Sequence, residues 1–149
     1  ANAAAAEARA RHGERIEFVY VDADHYSGNP KPCMSGWGRR QFVVAPTGDV
    51  LPCLSAAQLP LPMPNVRDAD LAGIWYDSVA FNRFRGTDWM PEPCASCALR
   101  EVDFGGCRCQ AFQLTGDQAA TDPACSRSPV HSLVRERGPA VPAVPRRLR

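Results

Sequence analysis

The chain has 149 residues, 45% hydrophobic and 22% charged, a balance that fits one globular domain and excludes a disordered or fibrous chain. Its formal net charge is +1, and the basic residues, 16 Arg and one Lys, are scattered along most of the sequence, which argues against a nucleic-acid partner. No run reaches 18 apolar residues and the Ala-rich start carries Glu7, Arg9 and Arg11, so neither a membrane span nor a signal peptide is expected, and the expected location is the cytoplasm.

Residues 1–15 are strong helix formers, and Ile16 to Val21 (IEFVYV) reads as a strand by its β-branched and aromatic content. A lone helix and strand cannot bury their apolar faces, so residues 1–21 are expected to be the end of a larger α/β domain lying upstream. The stretch from Asp22 to Pro32 is punctuated by Ser, Gly, Asn and Pro and predicts a loop leading to Cys33. Strands are predicted over 41–45 and 50–52, joined by a turn at Pro46-Thr47-Gly48-Asp49, and the three prolines of 58–64 predict an extended connector. Leu71, Ile74 and Trp75, then Val79, Phe81 and Phe84, have helical spacing broken near Asp77-Ser78, which predicts two short helices, the second capped at Asp77-Ser78 and ending at Gly86. A loop over 87–93 leads into a cysteine-rich segment, and Gln110 to Thr115 should be a helix closed by Gly116. The 24 residues beyond Cys125 hold six Arg and four Pro and little that could pack, so most of that tail is expected to be disordered.

The chemistry is concentrated in seven cysteines: Cys33 and Cys53, then Cys94, Cys97, Cys107 and Cys109 as C-x2-C-x9-C-x1-C, then Cys125. An odd count, a tight C-x-C pair and no signal peptide speak against a disulfide framework. A C-x2-C pair brings two thiolates to one centre across a turn, and the C-x-C pair, on an irregular backbone, can present two more. Four-coordinate sites need donors in fours, and seven thiols fall one short of two sites. Asp103, Glu101 or an open iron could complete the second. A rival arrangement is a zinc-binding interaction module in which Cys94, Cys97, Cys107 and Cys109 form one all-thiolate site and three thiols stay free. His12, His25 and His131 show no metal spacing. Trp37, Trp75 and Trp89 are read as packing residues. Gly105 and Gly106 are read either as N–H donors to cluster sulfurs or as a plain tight turn. Arg108, between two ligands, could offset anionic charge, with a surface position as its default.

At these cysteines the chain resembles the SPASM domain, the auxiliary-cluster domain of radical S-adenosylmethionine enzymes that modify peptides. The likeness is carried by Lys31-Pro-Cys-Met-Ser-Gly-Trp-Gly-Arg39, Asn82-Arg-Phe-Arg-Gly86, Asp88-Trp-Met-Pro-Glu-Pro-Cys94 and Asp103-Phe-Gly-Gly-Cys-Arg-Cys-Gln-Ala-Phe112. These segments are most similar to the branch acting in PQQ biosynthesis, in which Asp103 stands where the general pattern has a further cysteine. The resemblance implies an α+β fold: a small irregular SPASM domain over 22–131, with a β-hairpin and short helices around two Fe–S clusters. Residues 1–21 would be the last unit of a truncated partial (β/α) radical SAM barrel, and 132–149 a disordered Arg/Pro-rich tail. It further implies that Cys33, Cys53, Cys107 and Cys109 hold a [2Fe–2S] cluster and Cys94, Cys97, Asp103 and Cys125 a [4Fe–4S] cluster, both serving electron transfer. A carboxylate is a harder, less electron-donating ligand than thiolate, so Asp103 would tune its cluster.

The C-x3-C-x2-C motif that binds the S-adenosylmethionine cluster in this family does not occur in the chain, so the isolated chain is expected to be inactive. Its implied partners are the missing N-terminal radical SAM domain, the PqqA precursor peptide, whose Glu and Tyr side chains the parent enzyme would cross-link, and a PqqD-like peptide-binding protein.

Overall fold

The computed structural model describes residues 2–17 and 29–135. Helix α1 spans Asn2–His12 and is exposed along most of its length. Its end is closed by the Gly13 and Ile16 amides, which donate to the carbonyls of Arg9 and His12, so Ile16 belongs to the helix-terminating turn rather than to the predicted strand. Residues 18–21 of that strand and most of the 22–32 loop lie outside the described residues, as does His25.

Strands β1 (Val43–Val44) and β2 (Val50–Leu51) pair antiparallel, with Val43 opposite Leu51 and Val44 opposite Val50. The predicted turn forms between them. Pro46 presets the bend, and Gly48, at φ +91, donates to Ala45 in a conformation that an L side chain rarely adopts. Asn65 ties the connector to this turn, its amide donating to the Thr47 carbonyl and the Asp49 carboxylate at 3.1 and 3.0 Å. The Val50 amide donates to Pro64, so the proline-rich connector runs back beside the hairpin. A 3-10 turn, Leu54–Gln58, precedes the connector and takes in only its first residue.

Helices α2 (Leu71–Asp77) and α3 (Val79–Asn82) break at Ser78 as predicted. Asp70 caps the first by accepting from the Gly73 amide, and Ser78 caps the second by accepting from Phe81 while donating to Ile74. Helix α4 (Arg100–Asp103) has no counterpart among the predicted elements. Helix α5 spans Arg108–Thr115, so the C-x-C pair sits at a helix start rather than on irregular backbone; Gly116 closes it at φ +78. Beyond Cys125, the described residues 126–135 are ordered. Cys125 begins a series of tight turns, Ser128 is buried, His131 meets the Pro123 carbonyl at 2.8 Å, and Ser132–Arg135 forms α6. The residues beyond 135 lie outside the description.

Two small apolar clusters hold these pieces. One packs Val50, Ile74, Ala80 and Phe81 against Trp75. The other packs Trp37, Ala56, Leu59 and Phe84 with three of the cysteines, Cys33, Cys53 and Cys109. Trp37 meets Phe84 edge-on at 5.3 Å and donates its indole N–H to the Ala80 carbonyl, while Trp89 closes on Phe84 from another side at 4.8 Å. All three tryptophans are thus packing residues. The resulting fold is small and α+β, with short helices around one two-stranded sheet.

Candidate metal centres

The first centre is built into the core. The chain reaches Cys33 through Pro32 and leaves it in a 3-10 turn with Met34 and Ser35 at positive φ. Cys53 follows β2 after Pro52, and Cys107 and Cys109 lie at the start of α5. These four thiols, from three segments far apart in sequence, lie close enough to perturb one another: Cys33 interacts with Cys53 and Cys107, and Cys109 with the same two. Thiol hydrogen bonds from Cys109 and Cys33 pull Cys53 and Cys107 far below the usual thiol range, and backbone amides, including that of Cys109 toward Cys107, add to the lowering. Hydrogen bonds to these two thiolates, with burial adding, push Cys33 and Cys109 far up. None of the seven cysteines is in a disulfide. Four clustered thiols, two of them already favouring the thiolate, are a donor set suited to iron–sulfur or other soft-metal ligation.

The second centre is a small pocket beside that core, whose wall includes Cys94, Cys97, Asp103 and Cys125. The Cys97 amide donates to Cys94, closing the turn that brings the C-x2-C pair to one side. Asp103 ends α4 and is 9% exposed, whereas Glu101 on the same helix keeps 73% of its side chain exposed and lies 3.9 Å from Arg100. Geometry therefore separates two carboxylates that composition left equivalent. Burial raises the Cys94 thiol, opposed by the Thr121 hydroxyl 3.6 Å away and by the charge of Arg108. Three thiols and a carboxylate can supply four anionic donors here.

The turn joining the centres does not send its amides to sulfur. Gly105 donates to the Asp103 carboxylate at 2.9 Å and Gly106 to the Asp103 carbonyl at 3.0 Å. This is the tight-turn role of the two glycines. Gly106 is also required sterically: at φ +76, a Cβ would sit 2.4 Å from the Asp122 carboxylate and 2.7 Å from Pro30. Asp122 has no place in the predicted site, yet it is wholly buried and accepts from the Cys107 amide at 2.5 Å, the Gln110 amide at 2.7 Å and the Ala124 amide at 2.9 Å. Its sequence signal was the Asp-Pro-Ala-Cys run, an Asx turn leading into Cys125. Arg108 corrects another expectation, for it is buried at 1% exposure. Among the described residues, His12 is exposed, and His131 bonds to a backbone carbonyl.

The zinc arrangement is not the one formed, because Cys94 and Cys97 face one centre and Cys107 and Cys109 the other. Among the described residues, no group of three or more His, Cys, Asp or Glu side chains is disposed to hold a single metal ion directly. No described helix is long and apolar enough to cross a membrane.

Residues 33–98 match the SPASM family, an iron–sulfur cluster-binding domain; the match includes Cys33, Cys53, Cys94 and Cys97 and stops short of the other three cysteines. The chain is 57% identical over 135 residues to a PqqA peptide cyclase of Streptomyces rochei, covering 90% of this chain and 37% of that protein. It is 54% identical over 129 residues to a PqqA peptide cyclase of Rhodopseudomonas palustris, covering 85% of this chain and 34% of that protein. The chain thus spans about a third of the length of these relatives and closely resembles them over most of its own.

Proposed function

We propose that this chain is the auxiliary iron–sulfur part of a radical SAM enzyme of PQQ biosynthesis, one that cross-links a Glu side chain to a Tyr ring in the PqqA peptide. The observation that carries this reading is the gathering of eight donors into two sets of four, in a chain resembling SPASM domains and PqqA peptide cyclases. In this reading Cys33, Cys53, Cys107 and Cys109 hold a [2Fe–2S] cluster, and Cys94, Cys97, Asp103 and Cys125 a [4Fe–4S] cluster. When bound, such clusters supply one-electron chemistry, the kind needed to restore ring aromaticity after a carbon–carbon bond forms.

The chain's own residues hold and shield these groups. Trp37, Leu59 and Phe84 pack with the first four thiols and keep water from them, while Thr121 and Gly105 wall the second pocket. Residues 22–131 form the cluster domain in this proposal and residues 1–21 the end of a barrel supplied by the rest of the parent enzyme. The SAM-binding motif, the peptide and a PqqD-like carrier belong to that larger cytoplasmic assembly, and the chain alone is inactive.

Iron, acid-labile sulfide and zinc per chain after anaerobic reconstitution test the reading, with visible and EPR spectra. About six iron and six sulfide are expected for the two clusters. Bound zinc without sulfide overturns it.

A further inference from the structure

The largest wholly buried side chain in the described structure carries a permanent charge. Arg108 is 1% exposed, and a guanidinium stays protonated even there. Burying a charge is costly unless it is compensated. Its N–H groups donate to the carbonyls of Gln118 and Ala120 at 3.1 and 2.9 Å and to those of Gly105 and Gly106. Its flat face lies 4.7 Å from the Trp89 ring centre and 6.0 Å from that of Phe84. These contacts fix the group rigidly, but every hydrogen-bond partner is a neutral carbonyl. Among the described residues no carboxylate makes an ion pair with it. The charge therefore remains available at longer range.

Its position determines where that charge acts. Arg108 sits between Cys107 and Cys109 of the first centre, and it donates to Gly105, which walls the second. We propose that Arg108 is a shared internal cation for both centres, favouring the reduced form of each cluster and so raising both midpoint potentials together. This rests on the reading of the two centres as iron–sulfur sites. The groups that act on the Arg108 charge through space are the buried Asp122, which belongs to neither donor set, and Cys94, Cys33 and Cys107, which come from both. Reduction adds negative charge to a cluster, and a fixed cation in a poorly polarisable interior stabilises that charge more than one in water would.

The test uses the full chain, reconstituted anaerobically, with both midpoint potentials followed by EPR in a redox titration of wild type, Arg108→Lys and Arg108→Gln. Expected results are lower potentials for both clusters in Arg108→Gln and wild-type potentials for both in Arg108→Lys, which keeps the charge. The proposal is overturned if only one potential moves, if neither does, or if Arg108→Lys shifts both as far as Arg108→Gln. Should Arg108→Gln fail to fold, Arg108→Met is titrated in its place under the same criteria. A shift in either potential in Arg108→Lys, or failure of all three variants to fold, assigns Arg108 to scaffolding instead. Wild type that binds no sulfide fails the iron–sulfur reading, an outcome separate from clusters that are present but indifferent to residue 108.

Discussion

The two candidate centres share a loop but are built differently. In the first, Cys33, Cys53 and Cys109 are members of an apolar cluster with Trp37, Ala56, Leu59 and Phe84, so its donors are also packing residues. In the second, the donors line a pocket, one is a carboxylate, and none belongs to either apolar cluster. A donor that is also core links metal binding to folding, whereas a donor on a pocket wall can change with little effect on the fold. The first centre should therefore govern stability and the second should be adjustable.

The severest way to break this contrast is at the shared loop. Gly106→Ala forces a Cβ against Asp122 and Pro30 at positive φ, and we expect ~3 kcal/mol of destabilisation in denaturant unfolding, with iron lost from both centres. Cys109→Ala should cost ~2 kcal/mol through lost packing and remove only the iron of the first centre, as read by iron content and EPR. If it loosened both centres equally, the contrast would fail. Asp103→Ala should change stability by less than ~1 kcal/mol beyond the Gly105 amide it leaves unbonded, while altering only the second EPR signal. A matching change in the first signal would mean that the centres are not separable. Smallest of all, Glu101→Gln should leave iron content and both signals unchanged and stability within ~0.5 kcal/mol, because that side chain faces solvent.

Much of this was legible from residues alone, for reasons that differ by element. The hairpin turn was readable because Pro46 and Gly48 restrict their own backbone, and the α2–α3 break because Ser78 competes for the amide it caps. The seven cysteines stood out because short ligand spacing is a local property. Helix α4 and the early start of α5 were missed because neither segment carries a strong helical period; the cysteines and glycines around them are positioned by tertiary contacts. The turns of residues 126–135 were not legible because their composition resembles that of a disordered tail, while Ser128 and His131 are secured by carbonyls of 121 and 123.

The same division holds at the chemistry. Sequence by itself determined the kind of donor present, that four of the seven cysteines come in close pairs, and that seven thiols fall one short of two sites, since each follows from residue type, number and spacing. The resemblance implied which donors belong together, but spacing could not, because Cys33 meets Cys107 across 74 positions and Cys94 shares a pocket with Cys125. Only the tertiary structure decided that Asp103 turns inward while Glu101 turns out, and that Arg108 is buried between the centres. Burial and long-range charge depend on how distant segments fold around a residue, and adjacent residues in a sequence can have opposite surroundings.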